Sequence, residues 1–581
     1  MDSRKKKPSE EKPWLQFFGE EAVRSELPDE SIYDNLFRNN QSYRNSTAIN
    51  YFDNHISFGT MLDEIDRTAA ALQALGIGKG DIVAFCSPSV PEVAYLLYGL
   101  NKLGAALFPI DPRSTAPEVM SFVKMVRPRL FFLLDVFYEK FKDMLPELPV
   151  EKSIISPVDR SMSMMVRTLK RMKMPPPKPS YNERLLNWKD FLALGHGIKT
   201  ESVHGDGNEL AAITMTGGTT GRPKGVMLSN KGFNAVAHDF RHCGVTYNRR
   251  QRFLDIIPAF ASYGIVASLH MPLSLGVEVV MVTNFNADKV GRMIRKYRPA
   301  HTLMVPSHYE KLMHSREMRY GYDLSFFETA GSGGDTMNVG LETEINAFLK
   351  DHGCRFPLSQ GYGMSEVSSA AACSCNGNFK SLSVGYPLLT NTIGIFKPGT
   401  TEELDYNEEG EICIGGPAVM LGYFENEEEN RKVLFRHPDG QVWVHSGDLG
   451  RMDEDGFIYI LGRIKRMIIR FNGHKVFPTR LEDAISRIEN VSNCAVIGVT
   501  DTEHAQGQVP VVVVEMKDPS IAGETRAEIE ELCQNQIEEY SRPKDIWVIE
   551  DMPHQGMGKI DYSKLKQDYE ALISTNSFAV S

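Results

Sequence analysis

Thr214-Met215-Thr216-Gly217-Gly218-Thr219-Thr220-Gly221-Arg222-Pro223-Lys224-Gly225 packs glycines, hydroxyls and one lysine into a single short stretch. Glycines at 217, 218 and 221 let the backbone bring amide NH groups up to an anion. Thr216, Thr219 and Thr220 add hydroxyl donors, and Lys224 adds a mobile positive charge. The combination reads as a flexible cradle for a polyphosphate. A Walker-type loop is excluded, because it requires the order Gly-x-x-x-x-Gly-Lys-Ser/Thr, whereas here Pro223 interrupts the register and no hydroxyl residue follows Lys224. Taken alone, an ordinary Gly/Thr turn is the competing reading.

Further along, Gln360-Gly361-Tyr362-Gly363-Met364-Ser365-Glu366 sets an aromatic ring, a hydroxyl and a carboxylate close together. Tyr362 would stack on a base, Ser365 would bond a phosphate oxygen, and Glu366 would hold Mg2+, which takes hard oxygen ligands and bridges to substrate phosphates. His445-Ser446-Gly447-Asp448-Leu449-Gly450 and Gly462-Arg463-Ile464-Lys465-Arg466 follow, with Asp448 and Arg463 suited to ribose hydroxyls. Gly556-Met557-Gly558-Lys559-Ile560-Asp561 then mounts one lysine on a glycine-flexed loop. Each has a plainer account on its own: a strand-end turn for the first, a helix cap or turn at Asp448, a surface charge at Arg463, a solvated lysine at 559.

In this order the segments resemble the adenylate-forming (AMP-binding) superfamily, in its acyl-CoA synthetase or fatty-acid CoA ligase branch. GEICIGGPAVMLGYF at 410–424 and SGDLGRMDEDGFIYILGRIKRMI at 446–468 complete a likeness that runs from about residue 50 to about residue 570. The resemblance implies ATP-dependent activation of a carboxylic acid to an acyl adenylate with release of pyrophosphate, then transfer of the acyl group to CoA. It assigns Lys559 to bridging the acid and the α-phosphate, Glu366 to Mg2+, and residues 216–224, Lys224 among them, to the departing pyrophosphate. Gly334, Asp335, Tyr362, Gly363, Ser365, Asp448 and Arg463 are implied nucleotide contacts. A C-terminal lid domain, 465–581, would pivot at Lys465 against residues 1–464, presenting Lys559 for adenylation and the Gly473 segment for thioester formation.

The same resemblance locates the acyl pocket at IPAFASYGI (257–265), the turn at 331–334 and residues 361–364. Phe260, Ala261, Tyr263, Gly333, Gly361 and Met364 are the implied substrate contacts. Phe260 stands at the approximate position of the Asp that binds the ammonium group in amino-acid-activating relatives, which disfavours an amino acid. Ala261 replaces the His of many acyl-CoA synthetases, so the gating role of that His does not carry over. Phe471-Asn472-Gly473-His474-Lys475-Val476-Phe477-Pro478, with Glu482 beyond, resembles the segment CoA ligases set beside the pantetheine channel, where Gly473 leaves room for a narrow chain. A strand turning into a helix is the alternative. The expected substrate is a medium- or long-chain fatty acid. A carrier-protein-loading acyl-AMP ligase, an aryl or alicyclic acid CoA ligase and a noncatalytic nucleotide-binding protein are the other readings.

Composition fits an enzyme of several cores: the chain has 581 residues, 42% of them hydrophobic, so more than one domain is expected. With 64 basic against 75 acidic residues the net charge is −11, which argues against a nucleic-acid surface and requires local positive charge for ATP. Eight scattered cysteines without a C-x-x-C pair read as reduced thiols of a cytoplasmic protein. The basic start through Lys7 runs into Glu10, Glu11 and Lys12 rather than an apolar stretch, and reads as a disordered tail instead of a secretory signal. The most apolar short run, Leu130 to Leu134, is far too short to span a bilayer. Nothing in the sequence sets the oligomeric state.

Apolar runs at 82–86, 106–110 and 277–282 alternate with a helical pattern at 93–102, the signature of parallel sheets covered by helices. Glycine-punctuated short strands around 410–424 indicate a small β subdomain. Helical patterns at 481–488 and 526–539, with strands at 495–499 and 509–515, indicate a small α+β C-terminal domain. The fold class is therefore α/β: a large N-terminal domain of helix-covered sheets with a small β subdomain, and a mobile α+β unit. RSMSMMVRTLKRMK, opening at Arg160 and closing at Lys173, places Met162, Met165, Val166, Leu169 and Met172 on one helical face and Arg160, Arg167, Lys170 and Arg171 largely opposite. It reads either as a helix packed on its own domain or as a peripheral contact with the inner membrane surface.

Overall fold

Strands buried on both faces make up the centre of the first sheet, and their sequences are continuous apolar runs for that reason. Its order is Gly422–Tyr423, Lys224–Ser229, Leu210–Thr216, Ala106–Ile110, Ile82–Cys86, Leu130–Leu134, Lys152–Ser156 and Leu185–Asn187. Pairing is parallel from Leu210–Thr216 to the Leu185–Asn187 edge. The computed structural model describes residues 6–216, 223–335, 337–504, 506–555 and 559–578. A second, nine-stranded sheet runs Tyr386–Pro387, Ala372–Cys373, Ser359–Tyr362, Thr329–Ser332, His301–Met304, Arg252–Asp255, Glu278–Met281, Thr47–Tyr51 and Asn54–Ser57.

One hydrophobic core joins the facing surfaces of these sheets through Val83, Leu107, Ile49, Phe253 and Val279. Between them runs Pro91–Lys102, a helix with every residue buried. Its polar members are paired: Lys102 Nζ lies 2.6 Å from Asp66, and Asn101 donates to Asn230 at 2.7 Å. The helix expected at 93–102 starts at Pro91, since proline suits the first helical position, where no amide hydrogen bond is lost.

A third sheet, built from Thr392–Phe396, Gly410–Gly415, Val442–Met452, Leu434–Arg436 and Ile458–Arg463, forms the β subdomain. The expectation for 410–424 is corrected in one respect. Gly410–Gly415 belongs to this sheet, but Gly422–Tyr423 leaves it and pairs with Lys224–Ser229 of the first. The expected disordered N-terminal start is corrected from Lys6 onward, Met1 to Lys5 lying outside the described residues: Lys7 Nζ bonds Asp405 at 2.9 Å, Ser9 Oγ bonds Glu403 at 2.6 Å, and Trp14 is fully buried in the β-subdomain core.

Beyond this sheet a smaller C-terminal domain carries the strands Val491–Thr500, Gln508–Met516 and Asp545–Ile549 and the helices Pro478–Ile485, Ala522–Gln536 and Tyr562–Phe578. Both helices expected there begin and end earlier than their apolar patterns suggest, the first because Pro478 nucleates it. Among the described residues no helix is long and apolar enough to cross a membrane, and all eight cysteines are free thiols.

Candidate active site

The strands on either side of the glycine-rich stretch are neighbours in the first sheet. Leu210–Thr216 and Lys224–Ser229 pair antiparallel, with Thr216 opposite Lys224 at the last rung. Gly217, Gly218, Thr219, Thr220 and Gly221 lie outside the described residues. Lys224 forms an ion pair with Glu429, and its ammonium sits 4.8 Å from the centre of the Tyr423 ring. Tyr423 is delivered by the strand that crosses from the β subdomain, where it stands opposite Val226. Its hydroxyl donates to Glu366 Oε1 at 2.7 Å. Lys224, followed by Lys432, pulls the Glu429 carboxyl down to about 2. Burial pushes the Tyr423 phenol up, and the nearby Glu366 charge adds to it.

Glu366 is buried, with one carboxylate oxygen taken by Tyr423 and a lysine engaged in the same cluster. A single carboxylate beside phosphate-seeking cations fits Mg2+, which binds through one or two carboxylates and the substrate's own phosphates.

Asp448 joins the remaining nucleotide candidates. Tyr362 ends the strand Ser359–Tyr362, and its hydroxyl donates to Asp448 Oδ2 at 2.6 Å. Arg463 faces Asp448 across the antiparallel pair Val442–Met452 and Ile458–Arg463, and its Nε lies 2.7 Å from Asp448 Oδ1. Arg463 Nη1 also donates to the Ser446 carbonyl at 3.2 Å. The two residues expected separately at the ribose are thus one ion pair. Tyr362 is itself buried, and burial followed by Asp448 raises its phenol.

The turn before Asp448 is held from behind. Glu411 accepts from the Gly447 amide at 3.1 Å and from His445 Nδ1 at 3.0 Å, and His445 Nε2 lies 3.0 Å from His437 Nε2. Burial pushes the Glu411 carboxyl up, but His445 and the Gly399 and Gly447 amides outweigh it and hold it low. Burial, then His445, pushes His437 down to about 4.

On the acyl side, residues 263–270 coil as a π-helix, a wide turn often found at functional sites. Gly264 permits it: a Cβ there would lie 2.0 Å from the Pro258 carbonyl oxygen. Ser262 Oγ meets Ser365 Oγ at 2.9 Å, which ties the acyl loop to the nucleotide segment. Tyr263, Gly333 and Gly361 converge, since a Cβ on Gly333 would lie 3.2 Å from the Gly361 carbonyl and 3.5 Å from the Tyr263 hydroxyl. Gly334 follows in the same turn, next to the Tyr263 ring. Phe260 and Ala261 are half-buried, with the Arg113 guanidinium 5.2 Å from the Phe260 ring centre. Met364 packs on the β-subdomain core, and Gly363 abuts Ser369, whose carbonyl oxygen leaves no room for a Cβ.

Lys465 is exposed in the one-turn segment Ile464–Arg466, directly after the strand that carries Arg463. Arg466 pairs with Glu482 and lies 3.6 Å from the centre of the Tyr562 ring. Burial is the main influence raising the Tyr562 phenol, and Asp335 is among the charges that contribute. Lys559 begins a short strand that pairs Gln555 with it across the hairpin. Gly473 lies in a hairpin between Ile468–Ile469 and Lys475–Val476 with φ +83°, and a Cβ there would meet nothing within 4 Å. Backbone conformation, rather than crowding, is what calls for glycine at that position.

The residues that sequence reasoning missed are Tyr423 and Glu429, and for Ser262, which lies within the quoted IPAFASYGI run, it missed the bond to Ser365. Tyr423 ends the quoted GEICIGGPAVMLGYF run save for one residue, so its place was flagged without its role.

Residues 36–424 match the AMP-binding enzyme family profile, and residues 480–559 match the AMP-binding enzyme C-terminal domain. The chain belongs to the AMP-binding enzyme family. The long-chain-fatty-acid–CoA ligase of Bacillus subtilis (strain 168) is 28% identical over 567 residues, covering 96% of this chain and 98% of that protein. The probable 4-coumarate–CoA ligase 1 of Dictyostelium discoideum is 29% identical, covering 87% and 88%. Among solved structures, the anthranilate CoA ligase AuaEII with anthranoyl-AMP superposes with a TM-score of 0.79 at 21% identity, covering 95% of this chain and 99% of that one. ATP-bound MatB from Rhodopseudomonas palustris gives 0.78 at 21%, covering 93% and 99%. These structural likenesses establish the fold.

Proposed function

We propose that this protein is an AMP-forming acid–CoA ligase that converts a medium- or long-chain fatty acid to its CoA thioester. The observation that carries the reading is that the segment from Tyr362 to Glu366 links three groups: Tyr362 bonds the Asp448–Arg463 pair, Glu366 bonds the Tyr423 that carries Lys224, and Ser365 bonds Ser262 in the loop of Phe260, Ala261 and Tyr263. A carboxylate approaching an anionic α-phosphate is repelled, so cations placed on both partners lower the barrier. Lys559 brings one such cation to the acid. Lys224 exchanges Glu429 for the pyrophosphate oxygens, and Asp448 with Arg463 holds the ribose. Mg2+ on Glu366 would supply charge neutralisation at the phosphates. No general base is required, because the acid is already ionised at neutral pH.

Residues 465–581 act as a lid pivoting at Lys465, and the Gly473 hairpin is the face presented for CoA. The apolar, uncharged Phe260 loop and the full-length likeness to a long-chain-fatty-acid–CoA ligase support a fatty acid. An aryl acid is the second reading, favoured by the 4-coumarate–CoA ligases among the relatives. Acid-dependent pyrophosphate release, measured with and without CoA across acids from acetate to stearate, with 4-coumarate, benzoate, a bile acid and amino acids alongside, separates them. kcat/KM should climb several-fold per methylene, as about 0.8 kcal/mol each implies, until the channel is full. A preference for 4-coumarate or benzoate reassigns the acid, and turnover on a carrier protein but not CoA reassigns the thiol.

A further inference from the structure

The helix Met164–Lys173 is amphipathic with its faces reversed. Its arginines are tied back to the segment just ahead of it. Arg171 makes a two-pronged contact with the buried Asp159, Nε to Oδ2 at 2.7 Å and Nη2 to Oδ1 at 3.0 Å. Arg167 Nε donates to the Asp159 carbonyl at 2.9 Å. Ahead of the helix, Arg160 lies between Glu64 and Glu92, and Ser161 Oγ donates to Glu92 at 2.6 Å. Met162 is buried in the core outside the helix, and Val166 packs against that core.

The apolar side faces water. Met164 is 84% exposed, Met165 71%, Leu169 53% and Met172 78%. At about 100° per residue, positions 164, 165, 168, 169 and 172 form one arc of about 140°. A soluble protein seldom spends so many large apolar side chains on solvent without a partner. Lys173, which by the same count flanks the arc beside Leu169, and Lys178, five residues on, are exposed, a local positive charge on a chain whose net charge is −11.

We infer that this helix docks in the headgroup layer of an anionic lipid bilayer, Met164, Met165, Leu169 and Met172 entering the acyl boundary and Lys173 and Lys178 meeting the anionic headgroups. A helix of 10 residues rises about 15 Å, half of a hydrocarbon core, so it lies in the plane and does not cross. The arginine contacts hold the face in its outward pose beforehand, so docking requires no local folding. The site is also tied to the acyl pocket: Glu92 opens the helix Pro91–Lys102, and Ser89 just ahead of it accepts the Ala259 amide at 3.2 Å. An acid dissolved in the bilayer would thus be met by a surface braced to the pocket loop.

Co-sedimentation of the full chain with vesicles tests this without reference to the substrate. The protein should pellet with vesicles of equal parts phosphatidylcholine and phosphatidylglycerol, pellet poorly with phosphatidylcholine alone, and be released by salt. Met165→Glu with Leu169→Glu should weaken partitioning about ten-fold or more, and Lys173→Glu with Lys178→Glu should remove the preference for phosphatidylglycerol. Thermal melting and turnover of a short, water-soluble acid should stay as in wild type, because these residues are exposed and far in sequence from the catalytic groups. Failure of wild type to pellet with the mixed vesicles overturns the inference, as does equal binding by the glutamate variant. A wild-type dimer that Leu169→Glu converts to monomer, without vesicle binding, assigns the face to a second copy of the chain instead.

Discussion

Tyr423 and Glu366 meet at 2.7 Å across a seam between sheets, hydroxyl to carboxylate, from positions 57 apart in the chain. The bond orients the carboxylate proposed to hold Mg2+, while the ring of the same tyrosine carries the Lys224 ammonium. One side chain therefore positions two charged groups of opposite sign.

Tyr423→Phe keeps the ring and removes the hydroxyl. A hydrogen bond to a charged group is worth about 1.5–3 kcal/mol, so kcat/KM for ATP should fall about ten- to a hundred-fold and the Mg2+ concentration needed for half-maximal pyrophosphate release should rise. An unchanged Mg2+ dependence would remove Tyr423 from any role in orienting Glu366.

Lys559→Ala should abolish most adenylation and leave thioester formation from a preformed acyl adenylate largely intact, because the lysine serves the first orientation alone. Pyrophosphate release and single-turnover thioester formation are read separately. Equal losses in a folded variant would refute this division of labour.

Lys465→Pro fixes φ near −65° (about the only value proline allows) at a residue proposed to adopt two conformations. Acyl adenylate should still accumulate, while CoA turnover is lost. Normal turnover would place the pivot elsewhere.

Asp239 is fully buried in the helix Asn230–His242, where it accepts from the Thr390 amide at 2.9 Å and from its hydroxyl at 3.0 Å. Burial pushes its carboxyl up to about 8, against the bonds from Thr390. The raised carboxyl contributes stability that is complete below the unfolded value of about 3.9 and lost as pH rises through the folded one. Asp239→Asn should accordingly gain Tm over wild type as pH is raised from about 4 to about 8, with no such gain at more acidic pH. A constant difference in Tm across that range would show that Asp239 does not titrate there.

Much of this was legible along the chain. Ile82–Cys86 and Ala106–Ile110 coincide with their apolar runs, because strands buried on both faces need nothing but apolar residues. Asp448 and Arg463 were each distinguishable, but their ion pair follows from an antiparallel register that no local pattern encodes. Glu429 escaped notice because its partner Lys224 comes within reach only when Gly422–Tyr423 changes sheets. For the segment ending at Lys173, periodicity revealed two faces and could not say which turns inward; the buried carboxylate of Asp159 decides that. The N-terminal tail misled by its charge, since Trp14 anchors it in an apolar core.

The short strand Gly422–Tyr423 is also the outer edge of the eight-stranded sheet, lying over Lys224–Ser229. Until it arrives, the apolar sequence Lys-Gly-Val-Met-Leu-Ser presents an open row of backbone donors and acceptors, a template for pairing with another chain. During synthesis that edge stays uncovered while some two hundred further residues, about the span from Lys224 to Tyr423, leave the ribosome. Fragments ending before Tyr423 should consequently aggregate, and a nascent chain becomes safe from its neighbours when that tyrosine folds back.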